Sequence, residues 1–128
     1  MICTPNGEQH KLACNIIEST LLSKGYKVYN ASPSLPADSI IHSLSNIMPD
    51  AILISVTLED NIQIAKSLAR KIRTGFTSLP IFVGGLAFND ANKISGFDTI
   101  NNTIVIRNVA LIDAIRIIRS KIMTTSYA

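Results

Sequence analysis

Two apolar runs, Ala51 to Val56 and Leu79 to Val83, constrain this chain more than any other feature. A strand that is apolar on both alternating faces must be covered on both, which is the habit of parallel sheets packed between helices. The segments around the runs supply those helices. From Gln9 to Lys24 apolar residues recur at helical spacing (Leu12, Ile16, Ile17, Leu21), and Gly25 provides the stop. Further helical segments are predicted over Ala37 to Asn46, with Pro36 fitting the first turn, and over Glu59 to Thr74. A short one is predicted near Asn89 to Ile94, and a last one over Val109 to Met123. Strand-like stretches at Met1 to Thr4 and Tyr26 to Tyr29, and a weaker one within 97–106, complete an alternation of five strands with five helices. That order predicts a three-layer α/β domain with a five-stranded parallel sheet. The domain is expected over residues 1–123, with a frayed tail at 124–128.

Composition narrows the function classes. The chain has 128 residues, 47% of them hydrophobic, enough for one folded core and too rich for disorder. No apolar run reaches the roughly 18–20 residues that span a bilayer, and the amino terminus lacks a basic-then-apolar leader. A cytoplasmic chain without membrane association is expected. Two cysteines, Cys3 and Cys14, make neither a disulfide framework nor a zinc site. With 5% aromatics, no Trp and a net charge of only +3, a base-stacking surface and direct nucleic-acid binding are not expected. The basic stretches Arg70-Lys71-Ile72-Arg73 and Arg116 to Lys121 read as solvated helix faces.

In such a sheet, ligands bind beyond the carboxyl ends of the strands. The loop after the first strand carries Glu8, Gln9 and His10. Ser55 and Thr57, one strand period apart, end the third expected strand, and Gly84-Gly85 ends the fourth. Adjacent glycines admit a large ligand close to the backbone. His10 is the one residue here suited to a transition metal, and no second ligand stands at a metal-site spacing. A metal already held in a macrocycle needs only one axial histidine. Glu8, two residues earlier, is placed to accept the other ring N–H and set the tautomer.

The arrangement resembles the cobalamin-binding domains of the flavodoxin-like fold, whose pattern is Asp-x-His-x-x-Gly, then Ser-x-Leu, then Gly-Gly. This chain has Glu8-Gln9-His10-Lys11-Leu12-Ala13, 41 residues (14–54), Ser55-Val56-Thr57, 26 residues (58–83), and Gly84-Gly85. The resemblance covers nearly the whole chain. It implies strand order 2-1-3-4-5 and His10 as the lower axial ligand of cobalt in the base-off, His-on mode. It further implies that the displaced nucleotide tail enters the sheet between the first and fourth strands. Ser55, Thr57, Gly84 and Gly85 would line that slot, with Leu86, Ala87 and Phe88 bordering it. Glu8 for Asp, Ala13 for Gly and Thr57 for Leu depart from the pattern. Glu8-x-His10 and Gly84-Gly85-Leu86-Ala87-Phe88 are similar to the sensory domains attached to MerR-type regulators, including light-responsive ones. A response-regulator reading fails for want of an Asp ending the third strand, a flavodoxin reading for want of a phosphate loop, and a dinucleotide fold for want of Gly-x-Gly-x-x-Gly.

The resemblance implies a domain that is not an enzyme by itself and leaves the chemistry to adenosyl-, methyl- or hydroxocobalamin. Its expected role is a stand-alone cobalamin sensor or photoreceptor-like domain. The alternatives are a corrinoid carrier for methyl transfer, the small subunit of an adenosylcobalamin mutase, or a non-binding α/β interaction module. Haem held through the same histidine is the alternative macrocycle. Because the first expected strand starts at Met1, a separate chain is the expected source of the helical cap or effector domain that carriers and sensors carry, and a homo-oligomer is the other expected assembly.

Overall fold

The computed structural model describes residues 1–89 and 96–126, with side chains as far as Ile122. Four strands, β1 (Ile2–Cys3), β2 (Ile52–Ser55), β3 (Ile81–Gly84) and β4 (Thr103–Ile106), lie parallel in the order β1-β2-β3-β4. Among the described residues four α-helices surround them: α1 (Leu12–Ser23), α2 (Ala37–Ile47), α3 (Ile62–Gly75) and α4 (Leu111–Ser126). Local chemistry sets several of these ends. Beyond α1, Gly25 takes φ +90° and donates to Leu22 O, while Tyr26 N–H donates to Leu21 O. This pair of bonds is the Schellman arrangement that closes a helix on glycine. Pro36 precedes α2 in extended conformation and so stands just outside the first turn. A turn of 3₁₀ helix at Glu59–Asn61 leads into α3.

The sheet has four regular strands where five are expected. The segment expected as a strand at Tyr26 to Tyr29 instead runs beside β1 and joins it through one parallel bridge, Ile2 to Asn30. Ile2 N–H donates to Tyr29 O and Ala31 N–H to Ile2 O, both at 2.8 Å. The reason is partly that β1 offers only two paired residues. The Asn30 side chain also ties the segment to α1 through Asn15 (3.1 Å) and Glu18 (3.3 Å). With this segment outside β1, the order 2-1-3-4-5 is retained. The short helix expected near Asn89 to Ile94 lies outside the described residues, except Asn89, which ends a 3₁₀ turn at Leu86–Asn89. The last helix starts at Leu111 rather than Val109 and continues to Ser126.

Each sheet face is covered by its own pair of helices. Ile52, Ile54, Ile81 and Val83 point toward α2 and α3, packing with Ile40, Leu44, Leu68 and Ile72. Ile2, Leu53 and Phe82 point the other way, toward Ile17 and Leu21 of α1 and Ile115 and Ile118 of α4. Burial on this scale is the main stabilising contribution. The basic stretch at the end of α3 is only partly a solvated face. Arg73 is half-buried and donates to Phe76 O (2.6 Å), Leu79 O (2.7 Å) and Asn102 O (3.1 Å), clamping the entries to β3 and β4. Lys71 pairs with Asp38 of α2.

The turn after β3 depends on Gly85. Its φ is +123°, and a Cβ there would stand 2.1 Å from Val56 O, to which Ala87 N–H also donates. Gly85→Ala is therefore expected to cost about 3 kcal/mol, combining left-handed strain with a backbone clash, measured as a drop in the urea unfolding midpoint. A cost under about 1 kcal/mol would mean the turn is free to rearrange.

Both cysteines are buried free thiols. Burial pushes Cys3 up to about 12. It raises Cys14 as well, against the opposing influence of the Ser55 and Ser32 hydroxyls. A folded-state pKa above the unfolded value leaves stability intact below about pH 9 and removes it as pH rises toward 12. Unfolding free energy is expected to fall by about 1.4 kcal/mol per pH unit in that window from Cys3 alone. The slope should be shallower in Cys3→Ala, compared by denaturation at pH 8, 9, 10 and 11.

Candidate functional site

At the carboxyl ends of the strands the side chains shrink. Ser55 of β2 pairs in register with Gly84 of β3, and Gly84 with Ile106 of β4. One step earlier the same face carries Leu53, Phe82 and Ile104. α1 and α4 are held apart by that larger row, so over the small row a cavity of about 440 Å³ remains. Its walls are aliphatic: Ile17 from α1, Leu53 and Ile106 from the sheet, Leu111 and Ile118 from α4. Its mouth carries His10, Thr57, Asn89, Arg107 and Asn108. An apolar slot with a few polar groups at one end is the usual form of a small-molecule site. It opens on the face of the sheet beneath α1 and α4. It does not lie between the first and fourth expected strands, because β2 stands between β1 and β3.

The loop after β1 is rigidly placed. Thr4 is fully buried, and its hydroxyl accepts from Ser34 N–H (2.7 Å) and donates to Glu8 O (3.3 Å). Gly7 N–H donates to the Ser34 hydroxyl (2.9 Å). The Ser32 to Pro36 loop thus braces the loop that carries the histidine. Glu8 is fully buried. Its Oε1 accepts the Thr57 backbone N–H at 2.7 Å, and its Oε2 accepts from the Asn61 side-chain amide. A buried carboxylate is tolerable when N–H donors meet its oxygens. The same Oε1 stands 3.5 Å from Nδ1 of His10. The His10 side chain is 54% exposed and lines the cavity mouth. The pinned carboxylate faces Nδ1, and Nε2 lies on the other side of the ring.

The sequence-predicted residues divide into three groups. His10, Ser55, Thr57, Gly84, Gly85 and Leu86 line the cavity together, with Leu86 71% exposed at its edge. Ala13 also lines it, so the departure from glycine there still leaves an open slot. Glu8 lies beneath the histidine rather than in the lining, and Gln9 is exposed and outside it. Ala87 and Phe88 do not border the slot. They are buried on the α2/α3 face, where Phe88 meets Phe97 edge to face at 5.5 Å between ring centres. The cause is the Gly85 turn, which carries the chain across the end of β2. His10 precedes the first helix by two residues and does not start it.

Sequence reading missed Asn61, Asn89, Arg107 and Asn108. Asn61 precedes α3 like an ordinary helix-start residue, yet it makes no side-chain cap bond and reaches Glu8, 53 positions away. Asn89 accepts the Asn108 backbone N–H at 3.0 Å, joining the loops after β3 and β4. Asn108 holds φ +56°, a conformation in which Asn is enriched, and this was the one local signal available.

Comparison with known proteins meets this geometry. A family model described as the B12 binding domain matches residues 1–101. A cobalamin-binding protein from Desulfitobacterium hafniense superposes with a TM-score of 0.76 at 15% identity, over 93% of this chain and 56% of that one. The methanol:cobalamin methyltransferase complex of Methanosarcina barkeri gives 0.79 at 18% identity, over 95% and 45%. The monomethylamine corrinoid protein of the same organism gives 0.71 at 12%, over 91% and 54%. The chain thus spans about half the length of these solved chains, and at such identities they show the shared fold. The family match over residues 1–101, on a flavodoxin-like sheet with a histidine at the mouth of an apolar slot, makes this chain a member of the B12 binding domain family, with cobalamin as its cofactor.

Proposed function

We propose that the chain holds cobalamin base-off through His10, with the displaced nucleotide tail in the aliphatic slot, and serves as a cobalamin-responsive sensory module. One observation carries the binding mode. The ring of His10 stands half-exposed at the slot mouth while its Nδ1 faces a fully buried carboxylate that Thr57 and Asn61 immobilise. That arrangement presents Nε2 as the lone-pair donor to a metal. The residues fit the group: a single imidazole suffices for a cobalt already enclosed by a corrin, and the small row Ser55–Gly84 leaves room for a flat base against aliphatic walls. When bound, cobalamin supplies the cobalt chemistry. The chain's own residues orient His10 and exclude water from the slot with aliphatic walls.

The sensory role is supported by Glu8-x-His10 and by the Gly84-Gly85-Leu86-Ala87-Phe88 run, which are similar to regulator-linked domains. A second reading, a corrinoid carrier for methyl transfer, is favoured by two of the structural neighbours, a methanol:cobalamin methyltransferase complex and a monomethylamine corrinoid protein. Either role fits a module completed by a partner chain or a second copy.

Visible absorption titrations with hydroxo-, methyl- and adenosylcobalamin test the binding mode. Wild type is expected to shift each cofactor to a base-off, histidine-ligated spectrum, and His10→Ala to lose that signature. Spectra identical in the two proteins would sink the axial role of His10. Illumination followed by sedimentation then separates the roles: a light-driven change in assembly favours the sensor, and its absence favours the carrier.

Positioning by Glu8 is tested separately. In Glu8→Gln an amide NH₂ faces the donors from Thr57 and Asn61, so the loop should lose its anchor. Cobalamin affinity is expected to fall about 10–100-fold, with Asn61→Ala showing a smaller loss in the same direction. Unchanged affinity in both variants would show that His10 needs no support from beneath.

A further inference from the structure

We infer that Arg107 binds the anionic phosphodiester of the cofactor's nucleotide tail and is this chain's main affinity determinant for cofactors that carry one; the inference rests on the cobalamin reading above. Arg107 directly follows Ile106, the last residue of β4, and lines the slot mouth on the opposite side of the small row from Ser55 and Thr57. Among the described residues it is the only permanently charged one in the lining, and none of them there is a carboxylate. Among the described residues, Asp113 of α4 pairs with Arg116 at 3.0 Å and Glu8 lies buried against Thr57 and Asn61, so both carboxylates are already engaged. Among the described residues Arg107 makes no hydrogen bond or ion pair, although it is partly buried. A guanidinium withdrawn partly from water without a counter-charge is unfavourable until an anion meets it.

The backbone beneath it is pre-set. Asn108 N–H is held by Asn89 Oδ1 at 3.0 Å, with Asn108 at φ +56°, so the residue carrying the charge is anchored to the neighbouring loop. A planar, permanently charged fork on a fixed backbone suits a phosphate oxygen pair. Away from its polar mouth the slot is walled by aliphatic side chains and suits an uncharged flat group. The one charge at its mouth therefore matches a ligand whose apolar end enters the slot and whose anionic link stays at the rim. That is the order of groups along a nucleotide tail.

The test compares aquacobalamin with aquacobinamide, which has the same corrin and cobalt but lacks the phosphodiester and base. Dissociation constants are taken from visible titrations of the full chain at low and high salt. Arg107→Ala is expected to weaken cobalamin binding about 10–100-fold while leaving cobinamide within about twofold. Arg107→Lys should fall between, keeping charge but losing the fork. Raising salt should weaken wild-type cobalamin binding more than that of Arg107→Ala. Equal losses for the two ligands, or none for either, would overturn the assignment. Inorganic phosphate displacing cobalamin from wild type but not from Arg107→Ala would support it, since a free anion then competes for the same side chain. Failure of wild type to bind either corrinoid would instead overturn the cofactor reading itself, a result distinct from an unchanged Arg107→Ala.

Discussion

Everything at the candidate site depends on β2 being large and apolar up to Ile54 and small at Ser55. Through Leu53, and through Phe82 beside it, the sheet presents bulky side chains to α1 and α4 and holds those helices at a fixed distance. At the next row the side chains become Ser55 and Gly84, while the helices continue at the spacing the larger row dictates. Protein interiors pack closely, so a void of about 440 Å³ is not filled by relaxation when two rigid helices bound it. The slot is thus a consequence of a size step between adjacent rows of a parallel sheet. No special loop is needed to make it.

The second dependence is electrostatic. Glu8 is a fully buried carboxylate, and such a group is tolerable only when its oxygens are met by donors. Those donors come from Thr57, at the end of β2, and from Asn61, ahead of α3, so the first loop is fastened to the second crossover. The loop at Ser32 to Pro36 fastens it from the other side through Thr4 and Gly7. His10, the exposed member, inherits its position from these buried partners. The loop that carries His10 is fixed in this way, because Glu8, two positions earlier, cannot shift without leaving a buried charge unpaired.

Much of the fold was legible in the chain because its signals are local. Continuous apolar strands, helical spacing, and Gly25 as a stop can each be read within a few residues. The fifth strand was not, since whether Tyr26 to Tyr29 forms a regular strand depends on how many residues β1 offers opposite it. The basic stretch at Arg73 was read as solvated. Its guanidinium instead finds three carbonyls from Phe76, Leu79 and Asn102, and only the folding of the chain past β3 and β4 brings them together. Ala87 and Phe88 lie outside the slot lining for a related reason. A run that continues a glycine pair in sequence does not continue along the same face once Gly85 has turned.

The sequence by itself determined the two-faced parallel sheet, the family and the identity of the exposed histidine, because residue type and spacing along one chain encode periodicity and motif. Tertiary structure alone decided which carboxylate oxygen faces that histidine, that Asn61 holds the carboxylate from 53 positions away, and that Arg107, unpaired among the described residues, stands at the mouth of the slot. Those relations join residues on different crossovers. Their energies depend on distance and burial, which exist only after the strands have been set side by side.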